Sequence, residues 1–176
     1  SDTSIHKLES KVYSQLKSDA KKMQELIKKD ASLSTKANDF SFTLTEPTEI
    51  LTDLSKKISS DFPSLKTDIS YEIKEVPSSL QSIVSPAYYM HSPIDKPEDN
   101  IIYVNSSKEQ SNQKNLYATL AHEGIPGHMY QRVYLNEKNQ PPIRSLLNWI
   151  GYTEGWATYT EMISYYFSGL SKDEAS

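Results

Sequence analysis

Apolar residues in the first 60 positions recur at helical intervals. Between residues 4 and 29 they are spaced three and four apart, with lysines between them, which predicts one long amphipathic helix. The stretch 30–40 is rich in Ser, Thr and Asn and predicts a polar connection. Thr45 as a capping residue and Pro47 then predict the start of a second helix, whose buried positions would be Ile50, Leu51, Leu54 and Ile58.

The pattern changes to short β-prone runs after residue 61. Apolar residues alternate between positions 69 and 76, and two further runs lie at 87–90 and 101–104. Because prolines separate these runs, the pattern predicts three short strands that form a small sheet with irregular connections.

Helical periodicity returns after residue 105. It is interrupted at Pro126-Gly127 and again at Pro141-Pro142, before a last helical region over residues 143–167. This order of elements predicts an α+β fold that is mainly helical. The small sheet directly precedes the interrupted helix, and a glutamate-bearing helix follows it.

Length and composition are those of one soluble globular domain. The chain has 176 residues, 36% hydrophobic and 24% charged, with a formal net charge of −4. This charge argues against nucleic acid as a partner, and no apolar run approaches the roughly 18 residues of a membrane span. Both ends look like boundaries within a longer protein. We therefore expect a fragment, with a helical N-terminal part at 1–60 and a catalytic core at 61–176 that lacks its C-terminal part.

One segment carries candidate chemistry, namely His122-Glu123-Gly124-Ile125-Pro126-Gly127-His128. Two imidazoles can hold one zinc ion, and a glutamate beside the first can deprotonate a bound water. Zinc peptidases of this kind carry the histidines four residues apart on one helix face. Here they are six apart, which on a regular helix turns them roughly 240° around the axis. Since the chain has no cysteine, any metal must be held by His, Asp or Glu.

The Pro126-Gly127 pair allows the two histidines to meet in spite of this spacing. Proline lacks the backbone donor and clashes with the preceding turn, so the helix must kink or restart there. Glycine gives the backbone freedom to turn. We therefore expect His122 to end one helix and His128 to begin the next, with their rings converging across the break. The alternative is a chance pair of histidines in a polar helix–turn–helix.

A third ligand is expected on the following helix, where Glu154 and Glu161 lie seven residues apart. They share a face but sit about 10 Å apart along the axis, so both cannot hold one ion while the helix stays regular. Glu154 is the better candidate, because Gly155 beside it leaves room for close approach to the first helix. Glu161 would then support the site, for example by fixing the other ring nitrogen of a histidine, or form a structural ion pair or cap.

Two segments in this order, AHEGIPGHMYQ and TEGWATYTE, resemble the paired motifs of a bacterial family numbered 885 among domains of unknown function (DUF885). The segments at 88–90 and 103–105, and Arg144, fit the same pattern. The resemblance runs from about Tyr71 to Phe167. Members of the family look like zincin-type metallopeptidases.

The resemblance implies a zincin-like fold that acts on a peptide substrate. It also implies zinc at His122, His128 and Glu154, with Glu123 as the catalytic base. Family members are longer, and the resemblance implies that further helices after the Glu154 segment complete the cleft.

Several side chains outside this cluster are candidates for substrate binding. Arg144 could bind a substrate carboxylate as a bidentate fork, or be a surface charge near a helix start. Tyr103 and Asn105 lie at the end of a strand just before the active helix. An edge strand there could align a peptide by main-chain hydrogen bonds, or Asn105 could simply end the strand. His91 has no partner at useful spacing and is expected at the surface.

The leading hypothesis is a zinc-dependent hydrolase of peptide bonds. Two alternatives stay open: a metal-stabilised scaffold or binding module without turnover, and a helical interaction domain in which the histidines are incidental. The sequence does not indicate an oligomeric state. It slightly favours a secreted or cell-surface location over the cytoplasm.

Overall fold

A computed structural model of the chain describes residues 3–138, 141, 143–147 and 149–175. The fold is α+β and mainly helical, as the sequence predicts. In chain order its elements are α1 (Ile5–Lys29), α2 (Ser32–Asp39), α3 (Pro47–Lys57), β1 (Tyr71–Glu75), β2 (Ala87–Met90), β3 (Asn100–Val104), α4 (Glu109–Glu123), α5 (His128–Glu137), α6 (Ile143–Leu146), α7 (Ile150–Phe167) and α8 (Lys172–Ala175). No helix in this described part is long and apolar enough to cross a membrane.

The chain divides into two compact units. One comprises Ser1–Phe40 with Ser171–Ser176, and the other comprises Ser41–Leu170. The helical N-terminal part is predicted to end at residue 60, whereas the unit that holds the sheet begins at Ser41. The reason is that α3 packs its apolar face against α4 within this second unit.

The first unit is built around α1, which begins where the Ser4 side chain accepts a hydrogen bond from the Lys7 N–H. Its apolar positions form the predicted stripe, yet no residue of α1 is buried. The polar connection predicted over 30–40 is wrong, because residues 32–39 form helix α2. The Asp30 carboxylate accepts a hydrogen bond from the Ser32 N–H at 2.9 Å, which satisfies a donor that the first turn of a helix leaves free.

Helix α3 opens the second unit and buries Ile50, Leu51 and Leu54 as predicted. Its N-cap is Glu46 rather than Thr45, and Pro47 occupies the first turn. Proline is suited to this position because its fixed φ is already helical and its missing N–H would have no partner there. The capping role expected for Thr45 is therefore wrong by one residue.

The sheet consists of the three predicted strands in the order β1-β3-β2. β3 lies in the centre, parallel to β1 and antiparallel to β2. Ile102 and Val104 of β3 are buried, while Tyr88 and Tyr103 face each other across the pair and stack with 5.1 Å between ring centroids. The central strand thus anchors the sheet in the core, and β2 forms one edge.

Helices α4 and α7 make the largest helix–helix contact, and they carry the candidate site between them. Ala121 on α4 and Ala157 on α7 are fully buried. The Thr160 hydroxyl donates to the Ala121 carbonyl at 3.1 Å. Small side chains permit this close approach. The helical region predicted over 143–167 is divided into α6 and α7; Pro141 precedes it as expected, while Pro142 lies outside the described residues.

Candidate metal centre

The break between α4 and α5 is the feature that shapes the candidate site. α4 ends at Glu123 and α5 begins at His128, with a cis peptide bond between Ile125 and Pro126. A Cβ at Gly127 would overlap the carbonyl of His122, so only glycine allows the chain to fold back this closely. The Trp156 indole of α7 donates to the Pro126 carbonyl at 2.8 Å and holds the break against that helix.

The break brings the two imidazoles together. Their ring centroids are 4.9 Å apart and the rings meet edge to face at 84°. One potential ligand atom from each of His122, Glu123 and His128 lies within 4.8 Å of the others. Both histidines are largely buried, with side chains 19% and 14% exposed.

Glu154 of α7 lies between the two imidazoles. One carboxylate oxygen is 3.6 Å from His122 Nε2, and the other is 3.6 Å from His128 Nε2. Ligand atoms at about 2.1 Å from a tetrahedral zinc ion would be about 3.4 Å from each other. Each histidine–carboxylate distance is therefore close to that of two ligands on one small ion, and each histidine faces a different oxygen of Glu154. A Cβ at Gly155 would meet no atom within 4 Å, so the close approach expected of this glycine is not the reason that Glu154 reaches the site.

Glu161 lies on the other side of the His122 ring. Its carboxylate oxygen is 3.1 Å from His122 Nδ1, two helical turns along α7 from Glu154. A proton on Nδ1 satisfies this contact and leaves the lone pair on Nε2, which is the nitrogen that faces Glu154. The spacing of the two glutamates thus matches the two nitrogens of one imidazole.

Glu123 is held from the sheet. Its Oε2 accepts a hydrogen bond from the Tyr89 N–H of β2 at 3.0 Å. Burial raises the pKa of this carboxyl, and the Tyr89 N–H and the neighbouring His122 oppose part of that rise. Burial likewise lowers the pKa of His128, and the His122 charge lowers it further. Both effects are typical of a desolvated cluster of ionisable groups.

Three of the sequence candidates lie elsewhere. Asn105 ends the central strand, not an edge strand, and is 1% exposed. Its side-chain amide donates to the Gln81 carbonyl at 2.8 Å, so it ties a loop and offers no main-chain edge to a peptide. Tyr103 stacks on Tyr88 in that strand. Arg144 is exposed on α6, and in the described part of the chain no contact links it to the histidines.

Two residues near His128 were missed by the sequence reasoning. Arg132 and Asn136 follow His128 on α5 at intervals of four residues, and each has a buried side-chain nitrogen without a hydrogen-bond partner among the described residues. The interval was visible in the sequence, but burial was not. His91 is exposed as predicted, with its ring 5.4 Å from that of Tyr89.

Comparison with known proteins assigns the family. A family model described as "Bacterial protein of unknown function (DUF885)" matches residues 4–175. The chain belongs to the DUF885 family. It is also similar to a crystal structure titled as a "putative lipoprotein" from Colwellia psychrerythraea, with a TM-score of 0.62 and 25% identity. The match covers 73% of this chain and 22% of that one, so this chain spans about a fifth of its length. No curated protein matches the chain.

Proposed function

We propose that this DUF885 chain carries the metal centre of a zinc-dependent, zincin-like metallopeptidase, in which zinc is held by His122, His128 and Glu154. The observation that carries the proposal is the position of the Glu154 carboxylate, 3.6 Å from Nε2 of both histidines. A bare histidine pair would be weak support, but a carboxylate whose two oxygens each lie 3.6 Å from one of the Nε2 atoms supplies a third candidate ligand. The donor set of two imidazoles and one carboxylate suits zinc, and the sequence contains no cysteine that would favour a thiolate site.

The proposed role of Glu123 follows from its hydrogen bonds. One oxygen is occupied by the Tyr89 N–H, and no partner holds the other among the described residues. That free oxygen can accept a proton from a water at the ligand cluster and later donate it to the leaving amine. Burial shifts the pKa of Glu123 upward, towards neutral pH. A carboxyl with such a pKa can both accept and donate a proton during the reaction. When bound, zinc would acidify this water and polarise the scissile carbonyl.

Glu161 has a positioning role in this proposal. By accepting from Nδ1–H of His122 at 3.1 Å, it orients the ring and makes Nε2 the better electron donor. The similar crystal structure from Colwellia psychrerythraea is titled a "putative lipoprotein", which supports a secreted or cell-surface location for this chain as well. The substrate class is a peptide; a net charge of −4 gives no support for nucleic acid binding.

The proposal is tested by Glu123→Gln in the full-length protein. We expect the wild-type protein to bind about one zinc per chain and to cleave members of a mixed peptide library. Glu123→Gln should keep the zinc and lower turnover by about 100-fold or more, because the general base is lost while the ligands remain. Elemental mass spectrometry measures the zinc content of each protein. Peptide mass spectrometry measures cleavage of the library.

Three results separate this proposal from its alternatives. Full turnover in Glu123→Gln would disprove the assigned base. Stoichiometric zinc without cleavage by the wild type would favour a metal-stabilised binding module. A wild type that takes up no zinc during zinc-replete purification would favour a helical interaction domain.

A further inference from the structure

The face of α5 that carries the metal-ligand candidate His128 continues along the helix. His128, Arg132 and Asn136 are each four residues apart and therefore lie on one face of this helix, on successive turns. Each step of four residues advances about 6 Å along the axis. Arg132 and Asn136 thus lie about one and two helical turns from His128 along this face.

Two nitrogen donors on this face have no partner. Arg132 Nε and Asn136 Nδ2 are buried and unbonded among the described residues. In that same part of the chain no carboxylate lies within ion-pair distance of Arg132. A buried N–H donor without an acceptor is costly, because it loses hydration and gains no hydrogen bond in return. Such donors in a native fold are completed by ordered water, an ion, a ligand or a partner chain.

The surroundings of Arg132 place it beside the candidate site. His91 is exposed as a residue, but partial desolvation of its ring lowers its pKa, and the Arg132 charge lowers it further. The same charge opposes the rise that burial causes in the pKa of Tyr89. Tyr89 in turn holds Glu123 through its backbone N–H. The nearest acidic residue along α5 is Glu137, whose carboxylate accepts from the Lys66 N–H at 2.9 Å and so is already occupied.

We propose that Arg132, assisted by Asn136, binds a carboxylate of the peptide substrate at a subsite next to His128. This inference rests on the proposed peptidase function and adds to it a class of substrate. The guanidinium offers two parallel N–H groups that match a carboxylate, and the Asn136 amide adds a further donor. Arg144, the arginine that the sequence suggested for this role, is exposed on α6.

The spacing along α5 sets the part of the substrate that is recognised. One extended residue spans about 3.5 Å, whereas Arg132 follows His128 by about 6 Å of helix. The carboxylate therefore belongs to a residue one or two positions beyond the scissile bond. It comes either from the C-terminus of a short substrate or from an acidic side chain at that position.

The experiment measures peptide binding to zinc-loaded, full-chain Glu123→Gln protein by calorimetry. The probes are acetyl-tetra-alanine with a free C-terminal carboxylate, its C-terminal amide, and the same amide with glutamate as its last residue. We expect the amide to bind about 10- to 100-fold more weakly than the free acid, since it loses a charge-assisted hydrogen-bond pair. Recovery of affinity in the glutamate amide would identify a side-chain carboxylate as the ligand; no recovery would identify the C-terminus.

Further substitutions in the same protein assign the effect to Arg132. Arg132→Gln should bind the free acid and the amide with equal affinity. Arg132→Lys should keep part of the difference in affinity between acid and amide, because lysine retains the positive charge but lacks the two parallel N–H groups of the guanidinium. Lys138→Gln is the matched control: it removes one positive charge from the end of the same helix, where Lys138 is exposed and lies over the Tyr134 ring, and it should preserve the difference.

A stability measurement separates ligand binding from a structural role. If Arg132 binds a ligand and has no structural role, the Arg132→Met variant should have an unchanged or higher melting temperature, because the substitution removes a buried donor that has no partner. Marked destabilisation of Arg132→Met would overturn the inference, as would equal binding of acid and amide by protein that carries Arg132. Loss of the difference in Arg144→Gln instead of Arg132→Gln would also overturn it. If the protein does not bind zinc, the proposed function itself is wrong. If it binds zinc but none of the peptide probes, the carboxylate subsite is wrong and the proposed metal centre is unaffected.

Discussion

At the residue scale, the candidate site depends on one glycine more than on any of its ligands. Gly127 lies where a Cβ would overlap the His122 carbonyl, so the fold-back that joins α4 to α5 requires the absence of a side chain. Gly155 contrasts with it, because it stands beside Glu154 but has open space where its Cβ would be. The two glycines therefore have different consequences when replaced.

Gly127→Ala should destabilise the protein by at least about 2 kcal/mol, because the added methyl forces the backbone apart. It should also abolish zinc binding, since His128 moves with the chain. Gly155→Ala is the matched control and should be neutral or stabilising by about 0.5–1 kcal/mol, as alanine is the better helix former. Urea unfolding of both variants measures the difference. Equal stability of the two would show that the fold-back tolerates a side chain.

At the element scale, the contact between α4 and α7 determines whether the histidines meet their carboxylates. His122 is on α4, while Glu154 and Glu161 are on α7 and contact opposite nitrogens of its ring. Ala157 lies between the two glutamates in sequence and is fully buried against α4. The small size of this residue is compatible with the close contact between the two helices.

Ala157→Leu should cost about 1–3 kcal/mol, because three extra carbon atoms must fit a closed interface. By moving α7 away from α4, it should weaken zinc binding by about 10-fold or more, the effect expected when supporting contacts of a ligand are lost. Tyr159→Leu on the exposed face of α7 is the control and should change stability by less than about 0.5 kcal/mol. Chelator competition measures the zinc affinity. An unchanged affinity in Ala157→Leu would mean that helix spacing does not control the site.

The elements also show what a sequence can predict. The break at Pro126-Gly127 was predictable, because proline and glycine act on the local backbone. Helix α2 was not, since its residues have weak helical preference and the Asp30 carboxylate supplies the missing first-turn partner. Of the two roles considered for Asn105, ending the strand agrees with the structure and the edge-strand role does not, because the alternation within a strand does not reveal which strand becomes central. Arg132 was overlooked because burial depends on neighbours that are distant in sequence.

At the scale of the whole molecule, the proposed ion would join three helices and, through Glu123, one strand. A ligand that binds only the folded state stabilises it by mass action. Zinc at about 1,000 times its dissociation constant should contribute about 4 kcal/mol, which for a chain of this size raises the melting temperature by roughly 8–16 °C. Calorimetry with zinc and with a chelator measures this shift. His122→Ala should abolish it, and a shift that persists in this variant would place the ion elsewhere.

The order in which the ligands appear along the chain has a consequence for synthesis. Both histidines leave the ribosome before Glu154, which is 26 residues after His128 (154 − 128). At about 5–20 residues per second this interval lasts about 1–5 seconds. During that time the nascent chain holds two imidazoles without the carboxylate that faces both. Under the proposed ligand set, the complete metal site can therefore form only after α7 has emerged and docked.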